Sequence, residues 1–308
     1  MQNLTKLNLI TLSLTVILAG KPNDNAGYAG AFLRMGLGAR ATAMGNSGVA
    51  LPIDGFGVYY NPAGLAFMEE KNVAVSYSFL SLDRQFHFAG LSVPLPPNAG
   101  VGVSWLHAGV KNIEGRTSTG QIDEIYKTGE DVVLLSFANA FHPKIALGLN
   151  FKILHNQLLD IQATGLGFDI GILFQPVEWL AAGLQLKDIG AGYTWNTRDL
   201  FDAEGSNYTE KFPQIIKLGL AVKPIQQLIF AGDVEVSDQN VWQTHFGAEY
   251  FWRNLAFLRF GMNNQSPTFG VGLAYGFLAN IDTQLDYALI VGAVSEGTTH
   301  IFSWQFKF

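Results

Sequence analysis

The chain has 308 residues, 14% of them charged, 48% hydrophobic and 13% aromatic, with a formal net charge of −6 and no cysteine. An average soluble domain carries about 25% charged residues, yet beyond the N-terminus no stretch reaches the ~18 continuous apolar residues of a membrane helix, which leaves a greasy soluble β-protein or a membrane barrel. The acidic balance argues against a nucleic-acid partner, which needs a basic patch, and the missing cysteines exclude disulfides and lipidation through Cys.

Met1–Gly20 holds one lysine, Lys6, then the apolar run Leu7–Leu18 and small residues, the pattern of a secretory signal. A signal peptide is expected over 1–29, cut after Ala29 with Gly27 at the third position before the cut, or cut after Gly20. Lys21 stands where a lipoprotein would need cysteine.

Gly30–Met68 is rich in Gly and Ala, carries three charges (Arg34, Arg40 and Asp54) and shows no steady alternation. From Asn72 to Phe308, apolar and polar residues alternate with period two. A small-residue, irregular segment followed by strands predicts a plug or hatch, 30–71, inside a closed sheet, 72–308. Ala39–Asn46 suits a short helix. Asn61-Pro62-Ala63-Gly64 suits a tight turn, since the residue before proline is pushed out of the helical region and Gly64 supplies a free φ. That turn either ends the plug and starts the barrel or belongs to a hatch that gates passage. Arg40 and Asp54 are expected to anchor the segment to inward Asp and Lys residues, because an enclosed charge needs a partner.

Alternation and turn residues predict strands at 72–79, 85–94, 99–107, 131–141, 145–154, 164–174 and 179–187, then at 213–222, 227–236, 243–251, 255–263, 267–277, 280–290 and 298–308. They number fourteen, even as in single-chain bacterial barrels. Even-numbered strands up to the twelfth end in tight turns such as PLPPN at 94–98 and HPK at 142–144. Two connections after odd strands are long, Ala108–Glu130 and Asp188–Phe212. Short turns on one rim and long loops on the other are the periplasmic and extracellular sides of an outer-membrane barrel.

The faces favour lipid over water. In the last strand Phe302, Trp304, Phe306 and Phe308 share one face, opposite Ser303, Gln305 and Lys307. By the same parity Lys152, Asp169, Lys187, Lys217, Asp233, Glu235, Glu249, Arg259, Asp282 and Asp286 turn inward. Arg or Lys at the lipid midplane costs about 2–4 kcal/mol, so charge sorted to one side is what a membrane barrel needs. The inward face is also small at Gly100, Gly102, Ser104, Gly270, Gly272, Ala274 and Gly276, which marks close approach by another backbone, here the plug. Strand 85–94 slips phase around Phe86–Gly90, either a bulge that opens a lateral gap or a quirk of register. The fold class is therefore all-β, a 14-stranded antiparallel transmembrane barrel with an N-terminal lumenal plug.

No catalytic constellation, cofactor motif or metal-ligand spacing is present. The six histidines are scattered, His142 in a turn and His245 in the lumen, and the glycines at 36, 38 and 45 lack the Gly-Lys-Ser/Thr of a phosphate loop. Asp123–Glu124 and Glu130–Asp131 read as acidic pairs of a solvated loop, with calcium as the other option. The inward charges either bond the plug or line a polar path.

GARATAMGNSGVA at 38–50, then Asp54, then YYNPAGLAFM at 59–68 resembles the N-terminal signature of the PorV/PorQ family of outer-membrane proteins, over about forty positions. That family is similar to the FadL hydrophobic-compound channels, whose hatch also carries an Asn-Pro-Ala. The resemblance implies a non-enzymatic outer-membrane barrel with two candidate roles. One is a component of type IX protein secretion, with secretion-complex subunits or cargo proteins as partners. The other is a FadL-like channel that passes a hydrophobic ligand through a hatch and a side opening, although this chain is shorter than FadL. Outer-membrane lipid surrounds either one. The aromatic row ending at Phe308 resembles the signal read by the barrel-assembly machinery.

Overall fold

The computed structural model describes residues 24–51, 55–197, 205–253, 255–278, 281–291 and 297–308. The expected signal sequence up to residue 23 and the anchor Asp54 lie outside them. The ascending half of the sheet comprises β1 (Asn72–Phe79), β2 (Arg84–Leu95), β3 (Ala99–Arg116), β4 (Ile122–His142), β5 (Ile145–Leu158), β6 (Ile161–Val177) and β7 (Leu180–Ile189). A short hairpin follows, β8 (Gly192–Asn196) and β9 (Asn207–Lys211). The chain then continues through β10 (Ile215–Ile225), β11 (Leu228–Ser237), β12 (Trp242–Trp252), β13 (Ala256–Asn263), β14 (Ser266–Leu278), β15 (Ile281–Val291) and β16 (Thr298–Lys307).

Antiparallel pairing runs round a ring of fourteen strands: β7 pairs β10, and β1 pairs β16 from Asn72↔Lys307 to Phe79↔His300. Closure leaves the ring itself without an edge strand, as a sheet in lipid requires; β9, paired with β8, lies outside the ring. Lys71 and Phe308 complete the seam by exchanging backbone hydrogen bonds of 3.1 and 3.0 Å. The outward face carries exposed apolar side chains on strand after strand, among them Leu135, Phe137, Leu149, Phe168, Leu218 and Leu258. The described residues contain no helix long and apolar enough to cross a membrane; the crossing is made by strands.

Three expectations are corrected. The region 108–130 is no solvated loop: β3 and β4 continue their ladder through Ile113↔Tyr126 and Gly115↔Glu124. Above the lipid both faces of that ladder are wet, so the alternation that reveals a strand fades. The connection 188–212 likewise contains β8 and β9. Strand β2 has neither bulge nor slip. Its register with β3 is unbroken from Arg84↔Val110 to Leu95↔Ala99. Phe86 and Phe88 point inward because an apolar partner waits there, with the Phe88 ring centroid 5.4 Å from that of Phe56.

That partner is the N-terminal segment, almost wholly buried from Phe32 to Ala66 in its described part. It comprises a 3-10 turn at Ala31–Arg34, helix α1 (Ala39–Ala43, within the expected 39–46), helix α2 (Gly57–Tyr60) and a 3-10 helix at Pro62–Phe67. The Asn-Pro-Ala-Gly stretch opens this last helix instead of forming an isolated turn. Asn61 is its cap, its side-chain oxygen accepting from Ala63 N at 3.1 Å, and Pro62 occupies the first turn where no N–H is missed. Gly64 has an ordinary negative-φ backbone, so its conformational freedom is not used.

Candidate functional site

The segment is tied to itself first. Tyr59 Oη donates to Leu33 O at 2.8 Å and accepts from Gly36 N at 3.1 Å, and Tyr60 Oη donates to Leu37 O at 2.8 Å. Burial raises the Tyr59 phenol to about 12 and moves Tyr60 the same way. Arg34 Nη2 donates to the carbonyls of Asn25, Tyr28 and Ala29. Burial lowers its guanidinium below the usual value, opposed by Asp188.

Contacts to the strands come next. Arg40 reaches Glu249, with Nη2 2.7 Å from Oε1 and Nε 2.9 Å from Oε2. Val49 N donates to Asp233 at 3.0 Å, Lys187 Nζ to Leu33 O at 3.2 Å, and His245 Nδ1 to Gly45 O at 3.0 Å. Asn61 Nδ2 donates to Ile172 O at 3.0 Å, and Asn150 Nδ2 to Val58 O at 2.7 Å. Inward glycines admit this backbone. A Cβ at Gly100 would collide with Leu65, one at Gly148 with Ala63, and one at Gly261 with Gly45. Gly272 does not serve this purpose; its space is taken by Asp286 and Arg259.

All the expected lumen charges except Asp282 are buried. Asp282 is exposed in a shallow depression at the short-turn rim, beside Glu70 and Lys307. Most of the others pair across strands instead of bonding the segment. Lys217 meets Glu235, which also lies 3.4 Å from His245 Nε2. Arg259 bridges Glu249 at 2.6 Å and Asp286 at 2.7 Å. Lys152 Nζ lies 2.6 Å from both Asp169 and Asp188. Paired charges of this kind satisfy the desolvation requirement, and among the described residues Glu249, Asp233 and Lys187 bond the segment directly. The expected row Phe302, Trp304 and Phe306 lies on the outward face of β16, and Phe308 follows it at the short-turn rim.

Asp188 was not singled out from the sequence, yet it marks the least regular part of the wall. It has φ +61, its N–H donates to Asp169 at 2.9 Å, and Gly190 follows with φ +66. Left-handed backbone at a non-glycine residue is costly unless its surroundings fix it; the Lys152–Asp169–Asp188 triad does so. Pairing of β6 passes from β7 at Phe168↔Ile189 to β8 at Thr164↔Thr194, with a step between. Over that step Ala191 and Gly192 run on the inner side of Gly165 and Gly167. The wall is therefore drawn inward, leaving a depression of about 760 Å³ bordered by Leu166, Phe212 and Pro213 on one hand, by Thr194, Lys211 and Asp238 on the other, and by Tyr28 from the N-terminal segment. Behind it Tyr193 packs edge-on against Phe212 at 4.9 Å and donates to Glu130 at 2.8 Å.

No family model and no curated protein sequence matches the chain. Solved structures do. The toluene transporter TodX of Pseudomonas putida aligns with a TM-score of 0.64 at 13% identity, over 88% of this chain and 98% of that one. The monoaromatic hydrocarbon channel CymD aligns at 0.59 and 14%, over 88% and 96%. A FadL homologue of Pseudomonas aeruginosa aligns at 0.59 and 12%, over 88% and 98%. At such identities the likeness establishes the fold, that of FadL-type outer-membrane barrels. With a closed sheet and an apolar outer belt, the location is the outer membrane. The PorV/PorQ resemblance gains nothing from these comparisons.

Proposed function

We propose that the protein is an outer-membrane channel for small hydrophobic compounds, with the N-terminal segment as the hatch that keeps the lumen closed to water and ions. The observation that carries this reading is the depression at the kink of β7 and β8. There the wall is drawn inward, and the buried rings of Phe212 and Tyr193 stand behind it. Apolar solutes gain free energy in proportion to the surface they remove from water, about 25 cal/mol per Å², so a route past Leu166, Phe212 and Tyr193 suits them better than an aqueous pore. The structures that share the fold include a toluene transporter and a monoaromatic hydrocarbon channel, which supports the same substrate class. The secretion role has no comparable support.

The test is uptake of radiolabelled toluene by intact Gram-negative cells expressing the protein. Uptake severalfold above empty-vector cells is expected, and Thr194→Trp, which narrows the depression from its exposed rim, should reduce the gain sharply. Uptake equal to that of the vector control would overturn the proposal.

A further inference from the structure

On the outward face of β1 to β5, one row of direct cross-strand neighbours breaks the apolar pattern: Tyr77↔His87, His87↔His107, His107↔Asp131 and Asp131↔His155. The residues two places nearer the short-turn rim on the same face are Val75, Ala89, Trp105, Val133 and Ile153. The row thus marks the upper limit of the hydrocarbon belt, where polar side chains cost only about 0–1 kcal/mol. Within it the acid is already engaged. Asp131 Oδ1 accepts from Trp105 Nε1 at 2.8 Å and lies 2.9 Å from His107 Nδ1. The imidazoles of His87 and His107 stack at 5.9 Å. Among the described residues no three such side chains converge as metal ligands.

Above the row the next outward pair is Gly109↔Gly129, which leaves a notch without side chains over which only the His107 ring leans. Past the notch stand Lys111 and Lys127, both exposed, at the step where the β3–β4 ladder shifts between Val110 and Ile113. Lys111 leaves the ladder at that shift, its N–H donating to Asp83 O at 3.2 Å, and with Lys127 it places two exposed ammonium groups on the same edge, a placement that suits an anion. Below the row, on the other side of His87, an apolar groove of about 370 Å³ runs down the wall between Val75, Tyr77, His87, Leu285, Phe302 and Trp304. Basic side chains at the membrane boundary attract anionic headgroups, and His87, which borders the groove and stacks on His107, links the two.

We propose that this face is a binding site for a phosphate-bearing membrane lipid, its phosphate held by Lys111, Lys127 and the His87–His107 pair and an acyl chain laid in the groove. The site is independent of the channel function, since it lies on the outer surface and shares no residue with the depression. It gives the barrel a specific annular lipid, its headgroup at β2–β4 and its chain between β1 and β15–β16.

The experiment is native mass spectrometry of the full-length barrel in a non-ionic detergent, titrated with dimyristoyl phosphatidic acid or dimyristoyl phosphatidylcholine. Phosphatidic acid should be retained about tenfold more tightly than phosphatidylcholine, whose phosphate is shielded by choline. Lys111→Gln/Lys127→Gln should remove that preference. Val75→Trp, which fills the groove, should weaken phosphatidic acid with both lysines intact. Heat-dependent gel mobility verifies that each variant is folded. Equal retention of the two lipids, or phosphatidic acid binding unchanged in the double lysine variant, overturns the site; loss of bound lipid to millimolar inorganic phosphate alone would show an anion site without a lipid.

Discussion

Arg40 and Glu249 join the N-terminal segment to the barrel wall by two parallel hydrogen bonds of 2.7 and 2.9 Å. The Glu249 side chain is 4% exposed and is shared with Arg259. One carboxylate therefore holds two guanidiniums, one from each part of the protein. This fork-to-fork geometry is the strong form of the ion pair.

Glu249→Gln removes the charge that both guanidiniums share. Breaking a buried pair costs about 3–5 kcal/mol, although Arg259 keeps Asp286. The barrel is expected to stay closed while the segment loosens. In planar bilayers the wild type should conduct few ions and the variant many more. Equal conductance would show that the pair does not hold the lumen shut.

The phenols of Tyr59 and Tyr60 titrate upward because burial disfavours the tyrosinate. Raised folded values mean that their contribution is complete below the ordinary tyrosine value near 10 and is lost as pH climbs toward about 12 for Tyr59. Segment loosening, followed by proteolysis near Arg40 after brief alkaline exposure, should begin in that window. Tyr59→Phe leaves Leu33 O and Gly36 N without this partner, at about 1–3 kcal/mol, and should be cut more readily already at neutral pH.

The strands were legible because lipid enforces sorting: a charge on the wrong face is expensive, so period-two alternation survives wherever the strands cross the apolar belt. Where lipid ends, so does the signal, and the upper ladder of β3 and β4 read as a loop. Phe86 and Phe88 misled for the opposite reason, being apolar residues buried on the inward face, Phe88 against Phe56. The inward direction of Lys152, Lys217 and Arg259 followed from parity, but their partners did not. Partner choice depends on register across strands and, for Lys152, on Asp188 in a kink whose only trace in the sequence is the run Asp188-Ile189-Gly190-Ala191-Gly192. The segment's cap at Asn61 was hidden because Asn-Pro opens a helix as readily as it makes a turn.

Gly148 separates a role in packing from a role in strand flexibility. A Cβ there meets the backbone of Ala63, whereas one at Gly276 has only Asp282 at 3.7 Å. Gly148→Ala should displace the Pro62–Phe67 helix, raising conductance and protease sensitivity, and Gly276→Ala should change neither. Identical behaviour of the two variants would mean that the inward glycines are not there to admit the segment.

Phe308 lies at the seam, its backbone paired with Lys71 and the residue 48% exposed. Phe308→Asp keeps the backbone bonds but puts a charge at the lipid boundary and ends the aromatic row. The assembled, heat-modifiable fraction recovered from outer membranes should fall sharply, with Phe308→Tyr near wild type. Equal assembly of the Asp variant would remove Phe308 from the assembly signal.

Lys152 offers the most direct test linking the kink to transport. It bonds Asp169 and Asp188 at 2.6 Å, and Asp188 holds the left-handed backbone that turns the chain inward. Lys152→Met leaves two buried carboxylates without their cation, at about 3–5 kcal/mol. Lys152→Met/Asp188→Asn removes one of those charges and should recover part of the loss. In both variants the fourteen-strand ring is expected to keep its heat-modifiable mobility, because the pairing of β7 with β10 below the kink does not involve the triad. What changes is the shape of the depression, so toluene uptake should drop severalfold in each, including the stabilised double variant. Full uptake in the double variant would separate the triad from transport and leave it a purely structural cluster.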